Sequence, residues 1–359
     1  MIMKKLFVMA AAVGVALTGC TSDKADVGYT GDAQQKIEFN APVLKPTTKA
    51  TMGEIVGNYP QSDNFQVYAV WTAGEFATWG AGTQYMDDVK CTFDTNTWAP
   101  TPNSYYWPKD GKLTFAAYSP SEMTATHAYG ATGLTITDYV VAAQSIANED
   151  DAATPAQYDL MFSDRQFNQT SAHHTATGIP YQGVDLKFRH ALSSIKFTVA
   201  TATEYSGTTV TLKKITLQNI IKQGSFDEGI AVETAATTAP AWTPTVAEKQ
   251  DHVIYWKSAG NALTTAPVAL NTIGGLDLIL LPQTISSDAK LVVDWTIKTT
   301  GAEIPQQMIV DLNTIQFDSA ATWKPEHRYT YNLQFEMDKI TFNPIVTAWT
   351  DKSADQIIK

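Results

Sequence analysis

The sequence predicts an all-β protein built from antiparallel β-sandwiches, and three observations carry that reading. Residues Arg328 to Phe335 (RYTYNLQF) alternate strictly, with Tyr329, Tyr331, Leu333 and Phe335 on one face and Arg328, Thr330, Asn332 and Gln334 on the other. A period of two puts one face in a core and the other in water. Similar runs rich in threonine, valine and aromatics recur, separated by clusters of glycine, proline, asparagine and aspartate. Stretches with a 3.6-residue period are scarce. Two-faced strands must bury their apolar faces against one another, which makes sandwiches.

The strands follow in order. Ordered sequence begins at Ile37-Glu38-Phe39, a short alternating strand. Phe65–Trp71 (FQVYAVW), Leu113–Tyr118 (LTFAAY), Leu134–Tyr139 (LTITDY) and Val184–Phe188 (VDLKF) come next. Ser194–Ala200 (SIKFTVA), Val210–Leu217 (VTLKKITL), Asp277–Leu281 (DLILL) and Leu291–Ile297 (LVVDWTI) precede the run at Arg328. Residues 165–182 are polar and punctuated by glycine and proline, and they make the candidate domain boundary. Residues 228–250 read as a long loop. At about 100–200 residues per domain, 359 residues suggest two domains. The expected layout is a leader at 1–19, a flexible tether at 20–36 and β-sandwich domains at 37–182 and 183–359.

The leader is read from its own chemistry. Lys4 and Lys5 precede the apolar run Leu6–Leu17, which is shorter than the ~20 residues a membrane-spanning helix needs. It ends in Leu17-Thr18-Gly19-Cys20, which resembles a bacterial lipobox. Small residues there admit a peptidase to the bond before an acylated cysteine. The plain alternative is an ordinary signal peptide with a chance cysteine. With lipidation, the mature chain starts at Cys20 and is held on a membrane outside the cytoplasm, several acyl chains making a stable anchor.

Composition narrows the function. Acids outnumber bases 36 to 25, for a formal charge of -11, and such a surface repels phosphate backbones. Nucleic acid is therefore not an expected partner. Two cysteines make neither a disulfide scaffold nor a cysteine-rich zinc site, and Cys91, in VKCTF, reads as a small core hydrophobe. His173-His174 lies in a polar stretch where strand neighbours would point to opposite faces, so no shared metal is expected. His190, in FRHALS, reads as a satisfied core or edge histidine. Glu149-Asp150-Asp151 lacks the alternating ligands and glycine of a calcium loop. No phosphate loop, nucleophile elbow or paired-histidine zinc motif occurs. The reading is of a protein with no cofactor, no metal and no catalytic residues.

An ordered set of strings resembles the fimbrillin family, the pilus subunits and pilus-like lipoproteins of the Bacteroidales. It comprises the lipobox, IEF followed by TTKATMG, SYYWPKDGKLTFAAYSP at 104–120 and YDLMFS at 158–163. LKFRHALSSIKFTV at 186–199, LLPQT at 280–284, RYTYNLQF and ITFNPIVTAWTD at 340–351 complete it. The resemblance implies two tandem transthyretin-like sandwiches and a mechanism. A surface lipoprotein loses its first strand to a trypsin-like maturation protease, and a C-terminal strand of another subunit fills the groove. The partners implied are other pilus subunits, the protease and a surface ligand, at the outer membrane or cell surface, within a fimbrium.

The residues can be set against that scheme. Lys45 precedes Pro46, a poor trypsin-type site, so Lys49-Ala50 is the better bond. Family members place arginine there, and Lys49 also reads as a plain solvated loop residue. The donor would come from residues 344–358, where Ile345, Thr347 and Trp349 alternate onto one face. That segment also reads as an ordinary edge strand, which suits a tip or accessory subunit. The rival function is a glycan-binding surface lipoprotein, because Trp71, Trp79, Trp98, Trp242 and Trp323 fall near loops or strand ends, where exposed rings stack on sugars. Trp107 and Trp295 read as core.

Overall fold

The computed structural model describes residues 35–44, 55–59, 61, 63–121, 123–142, 159–174, 183–229, 240–270, 278–337 and 339–348. The strands of the first half are β1 (Phe39–Asn40), β2 (Pro42–Leu44), β3 (Ile55–Asn58), β4 (Phe65–Thr72), β5 (Thr83–Asp94), β6 (Thr97–Pro100), β7 (Lys112–Ser119), β8 (Thr126–Gly130), β9 (Gly133–Val140), β10 (Met161–Ser163), β11 (Gln166–Gln169), β12 (Val184–Asp185) and β13 (Phe188–His190). The second half adds β14 (Ser193–Thr201), β15 (Thr209–Ile221), β16 (Gln223–Asp227), β17 (Ala241–Pro244), β18 (Lys249–Ala262), β19 (Val268–Ala269), β20 (Leu278–Leu280), β21 (Gln283–Thr284), β22 (Lys290–Lys298), β23 (Glu303–Asp311), β24 (Thr322–Trp323), β25 (His327–Phe335) and β26 (Ile340–Ala348).

The largest sheet runs β12-β1-β6-β5-β4-β7-β10-β13-β2-β3, with β11 on β7. Two sheets of the second half run β19-β14-β25-β26, with β20 on β14, and β18-β15-β22-β23. A four-stranded sheet, β17-β16-β9-β8, draws two strands from each half of the chain, and β21 pairs with β24. The all-β reading stands, and the pairing is antiparallel apart from β1–β12, β2–β13 and β14–β25. Each parallel pair joins strands far apart in sequence, as parallel pairing requires a long connection.

Burial explains the sequence patterns. On β25, Tyr329, Tyr331, Leu333 and Phe335 are all buried, while the other face is open or half-open, as the alternation predicts. The runs at β4 and β7 behave differently. Phe65, Val67, Ala69, Leu113, Phe115 and Ala117 enter one core, and Tyr68, Val70, Ala116 and Tyr118 enter another. These strands are covered on both faces, which is why FQVYAVW and LTFAAY are almost continuously apolar. The polar stretch 165–182, read as a break, holds β11, and 228–250, read as a loop, holds β17 and the start of β18. β17 ends its sheet and β11 pairs only with β7, so neither needs a strong apolar pattern. Beyond residue 183, β12 and β13 pair with β1, β2 and β10, and β14 is the first strand to pair into a sheet of the second half.

The shared sheet carries a buried polar junction. Glu228, 6% exposed just past β16, donates its N–H to Leu134 O on β9 at 2.9 Å and accepts the Leu134 N–H through Oε2 at 2.8 Å. Tyr129 donates to its Oε1 at 3.3 Å, and Arg165 Nε donates to the Tyr129 hydroxyl at 2.8 Å. The Arg165 guanidinium lies over the Tyr129 ring, 5.3 Å from its centroid, with its Nε 4.0 Å from Glu228. Burial raises the Glu228 carboxyl to about 7, Arg165 only partly offsetting it.

The folded state thus holds this proton more tightly than the unfolded chain, whose value is about 4.5. Its stabilising share is complete below that value and is lost as pH rises through about 7. Glu228→Gln keeps the shape without the charge. Its stability should match wild type near pH 5 and exceed it by about 3 kcal/mol at pH 8, read by denaturant titration. A pH-independent difference would remove Glu228 as the titrating group.

Candidate functional site: the inserted first strand

Residues 35–44 form the site. They thread as one extended lane between strands on both sides. On one side the Trp107 N–H donates to Gln35 O at 3.1 Å, the Ile37 N–H to Tyr105 O at 2.8 Å, and Phe39 stands opposite Trp98. On the other, the Val184 N–H donates to Glu38 O at 2.9 Å and the Leu186 N–H to Asn40 O at 2.7 Å. Farther along, Val43 pairs in parallel with Phe188, and Pro42–Leu44 pairs antiparallel with Ile55–Asn58. The Tyr59 N–H donates to Ala41 O at 2.7 Å.

The side chains alternate accordingly. Ile37, Phe39 and Ala41 are essentially inaccessible. Phe39 meets Phe115 and Phe65 edge-on, with centroids 5.4 and 6.4 Å away. Asn40 is exposed and donates through Nδ2 to Asp185 Oδ1 at 3.0 Å. Alternation of this kind is what Ile37-Glu38-Phe39 predicted, but the insertion between two strands was not legible.

Two residues that the sequence reading missed shape the lane. Gly183 has φ +81, and a Cβ there would stand 2.7 Å from Glu38 O and 2.8 Å from Phe39 N. Only glycine lets the strands approach so closely. Tyr59, 4% exposed, stacks on Phe188 at 5.1 Å and meets Trp98 edge-on at 5.2 Å. The one signal for Gly183 was a glycine directly before a strand-like run.

The remaining predicted residues divide. Cys20, Lys49, Ala50 and Trp349 lie outside the described residues, with Lys49 and Ala50 in the connection from β2 to β3. Ile345 and Thr347 lie on β26, the last strand of its sheet, and their shared face is the exposed one. The inward face carries Ile340, Phe342 and Val346. A shallow groove of about 340 Å³ runs beside β26, lined by Val310, Thr314, Ile315, Gln316, Thr341, Phe342 and Pro344.

The candidate chemistry also resolves. His190 is buried, with Nδ1 2.7 Å from Asp159 Oδ2, a core histidine held by a carboxylate. Cys91 is a buried free thiol that burial pushes well above its ordinary range. His173 and His174 fall in a 3-10 turn, Ser171–His174, and their side chains lie outside the described residues, as does Glu149-Asp150-Asp151. Tyr118 donates to Asp88 Oδ1 at 2.8 Å and stands 2.7 Å from His127 Nε2. Burial and Asp88 hold that phenol protonated far beyond neutral pH, which makes it a structural donor rather than a nucleophile. Among the described residues, no cluster of three or more metal-ligating side chains occurs. Trp79, Trp98, Trp107, Trp295 and Trp323 are buried, and Trp71, Trp242 and Trp256 are half-buried.

The chain can be placed among known proteins. The fimbrillin-like family matches residues 48–349. No curated protein sequence matches the chain. Its fold is similar to that of a fimbrial protein from Bacteroides vulgatus, at 18% identity and TM-score 0.51, covering 88% of this chain and 100% of that one. It is similar also to a candidate cell adhesion protein from Bacteroides uniformis, at 15% identity and TM-score 0.50, covering 90% and 100%. With most of its length matched and an all-β fold shared with a fimbrial protein, the chain belongs to the fimbrillin-like family.

Proposed function

We propose that this protein is a non-enzymatic structural or adhesive pilus subunit, exported as a lipoprotein through Cys20 and assembled by strand exchange. A trypsin-like protease cuts Lys49-Ala50 at the cell surface, which turns the lane at residues 35–44 from a covalent part of the sheet into a bound peptide. A C-terminal strand of another subunit, drawn from the region of Ile345, Thr347 and Trp349, then takes its place. The observation that carries this reading is the lane itself: a first strand bonded on both sides, ending just before the connection that holds the candidate cleavage bond.

The physics favours slow and lasting exchange. Loss of the lane exposes the pocket around Phe39, and emptying a buried phenylalanine site costs about 3–5 kcal/mol. It also leaves two strand edges unpaired, which a new strand satisfies. A head-to-tail contact of this kind does not close on itself, so it propagates into a filament. The anchor at the outer membrane holds the precursor where the protease works.

Two experiments test this. Cys20→Ala should move the protein from the membrane fraction to a soluble or uncleaved form, read by fractionation and intact mass. Unchanged partitioning, with no acyl mass on the native protein, would remove the lipoprotein step.

The second uses a removable lock. Asn40 and Asp185 are direct cross-strand neighbours, so Asn40→Cys with Asp185→Cys falls within disulfide reach. Protease-treated wild type should form detergent-resistant ladders on a gel. The locked variant, equally cut, should stay monomeric until a reductant is added, and Lys49→Gln should not be cut there at all. Ladders from the locked, oxidised protein would show that the first strand does not have to leave.

A further inference from the structure

The connection from β4 to β5, residues 73–82 (AGEFATWGAG), bears on the Glu228 cluster. Most of its residues are exposed, and Trp79 alone is buried. The Trp79 ring meets Tyr129 with centroids 4.4 Å apart, and the buried Arg165 guanidinium stands 5.9 Å from it. Phe76 meets Trp79 and Phe167 at 6.3 and 5.3 Å. A surface loop thus sets one buried indole on the two side chains that bear on Glu228.

The loop is lightly held. The Phe76 N–H donates to Asn168 Oδ1 at 2.7 Å, while the Ala81 and Gly82 N–H groups bond back within the loop to Thr78 O and Trp79 O. Glu75 pairs with Lys112 at the surface. A Cβ at Gly74 or Gly80 would meet nothing within 4 Å, so the chain has room to turn at both. Among the described residues the buried Trp79 Nε1 finds no acceptor. A buried donor without a partner opposes closure, and water would satisfy it.

Glu228 supplies the other half of the device. An ionised carboxylate offers about four acceptor sites. Here the Leu134 N–H serves one oxygen and the Tyr129 hydroxyl the other, while Arg165 Nε donates to Tyr129 and stays 4.0 Å from Glu228. A neutral carboxyl asks for less, so the closed site suits the protonated acid, in line with the upward push of burial. The charged and titratable groups around it are Arg165 and Asp164, between β10 and β11, and Tyr129 on β8. Asp164 is paired with Arg189, and Asp227 accepts the Gly229 N–H.

We infer that residues 73–82 are a lid governed by the proton on Glu228, shut over Trp79, Tyr129 and Arg165 while the carboxyl is neutral and lifted once it ionises. Ionisation calls for the water that the closed site excludes, and lifting the loop withdraws one buried ring to admit it. The same movement hydrates the Trp79 N–H. Two aromatic rings and a guanidinium are then displayed on the alkaline side of neutrality and hidden on the acid side. None of this depends on strand exchange, and the lid works in the uncut chain.

Hydrogen exchange on the full, uncut chain tests it, read by mass spectrometry on peptides spanning 73–82 and corrected for the intrinsic effect of pH. With the lid open Glu228 titrates near 4.5, as in the unfolded chain, against about 7 with it shut. Protection of the lid should therefore fall about tenfold between pH 6 and pH 8. Peptides spanning β14 and β25 should stay much better protected, which marks the opening as local. In Glu228→Gln the lid's protection should not change over that range. Flat protection in wild type overturns the lid without recourse to any variant. Protection of 73–82 equal to that of β14 and β25 overturns it too, because the loop then opens only with the whole fold. A fall that persists in Glu228→Gln takes the controlling proton away from Glu228.

Discussion

A strand held from both sides is the constraint on which the first half of this molecule depends. Residues 35–44 satisfy backbone groups on β6 and the segment around Tyr105 in one direction, and on β12, β13 and β3 in others. The sheet order β12-β1-β6 at one end and β13-β2-β3 at the other shows how a single run of chain finishes both. Interior strands of a large sheet are ordinarily the last to leave. This one lies near the start of the described chain, joined onward only through residues 45–54. Its burial ties it to the core of the first half.

The aromatic packing follows from that insertion. Phe39, Phe65, Phe115, Tyr59, Trp98 and Phe188 meet within one cluster, and the lane supplies Ile37, Phe39 and Ala41 to it. Tryptophans near loops suggested a sugar-binding surface, yet Trp79, Trp98 and Trp323 close cores instead. Large aromatic rings bury more apolar area than any aliphatic side chain, which draws them into cores wherever the fold brings them within reach. Position near a loop in sequence therefore says little about exposure in a fold with so many short strands.

What the sequence disclosed and what it withheld have physical causes. β15 and β25 were legible because one face of each meets the core and the residue period records it. Strands β4 and β7 were recognised, but their second covered face was not, since a continuous apolar run states burial without naming what covers it. β11 and β23 went unread because peripheral strands tolerate polar residues such as those in QFNQ and EIPQQMIVD. The site was legible in part. Ile37 and Phe39 announced a strand, but its partner Asp185 is separated from Asn40 by 145 positions, and no local pattern encodes such a pairing. Gly183 is a further case, because its need for φ +81 arises only from the close approach of the Glu38 carbonyl.

The sheet β17-β16-β9-β8 has a consequence for how such a protein can change over generations. Its central pairing joins Gln223–Asp227 to residues 135–140, and Glu228 extends it inward to Leu134 and Tyr129. Recombination that swaps one half of the gene for a relative's would have to preserve that register, the buried carboxylate and its arginine together. Diversification is thereby steered away from shuffling halves and toward substitution in the peripheral strands and connecting segments, where new surface chemistry can arise without a matching change elsewhere.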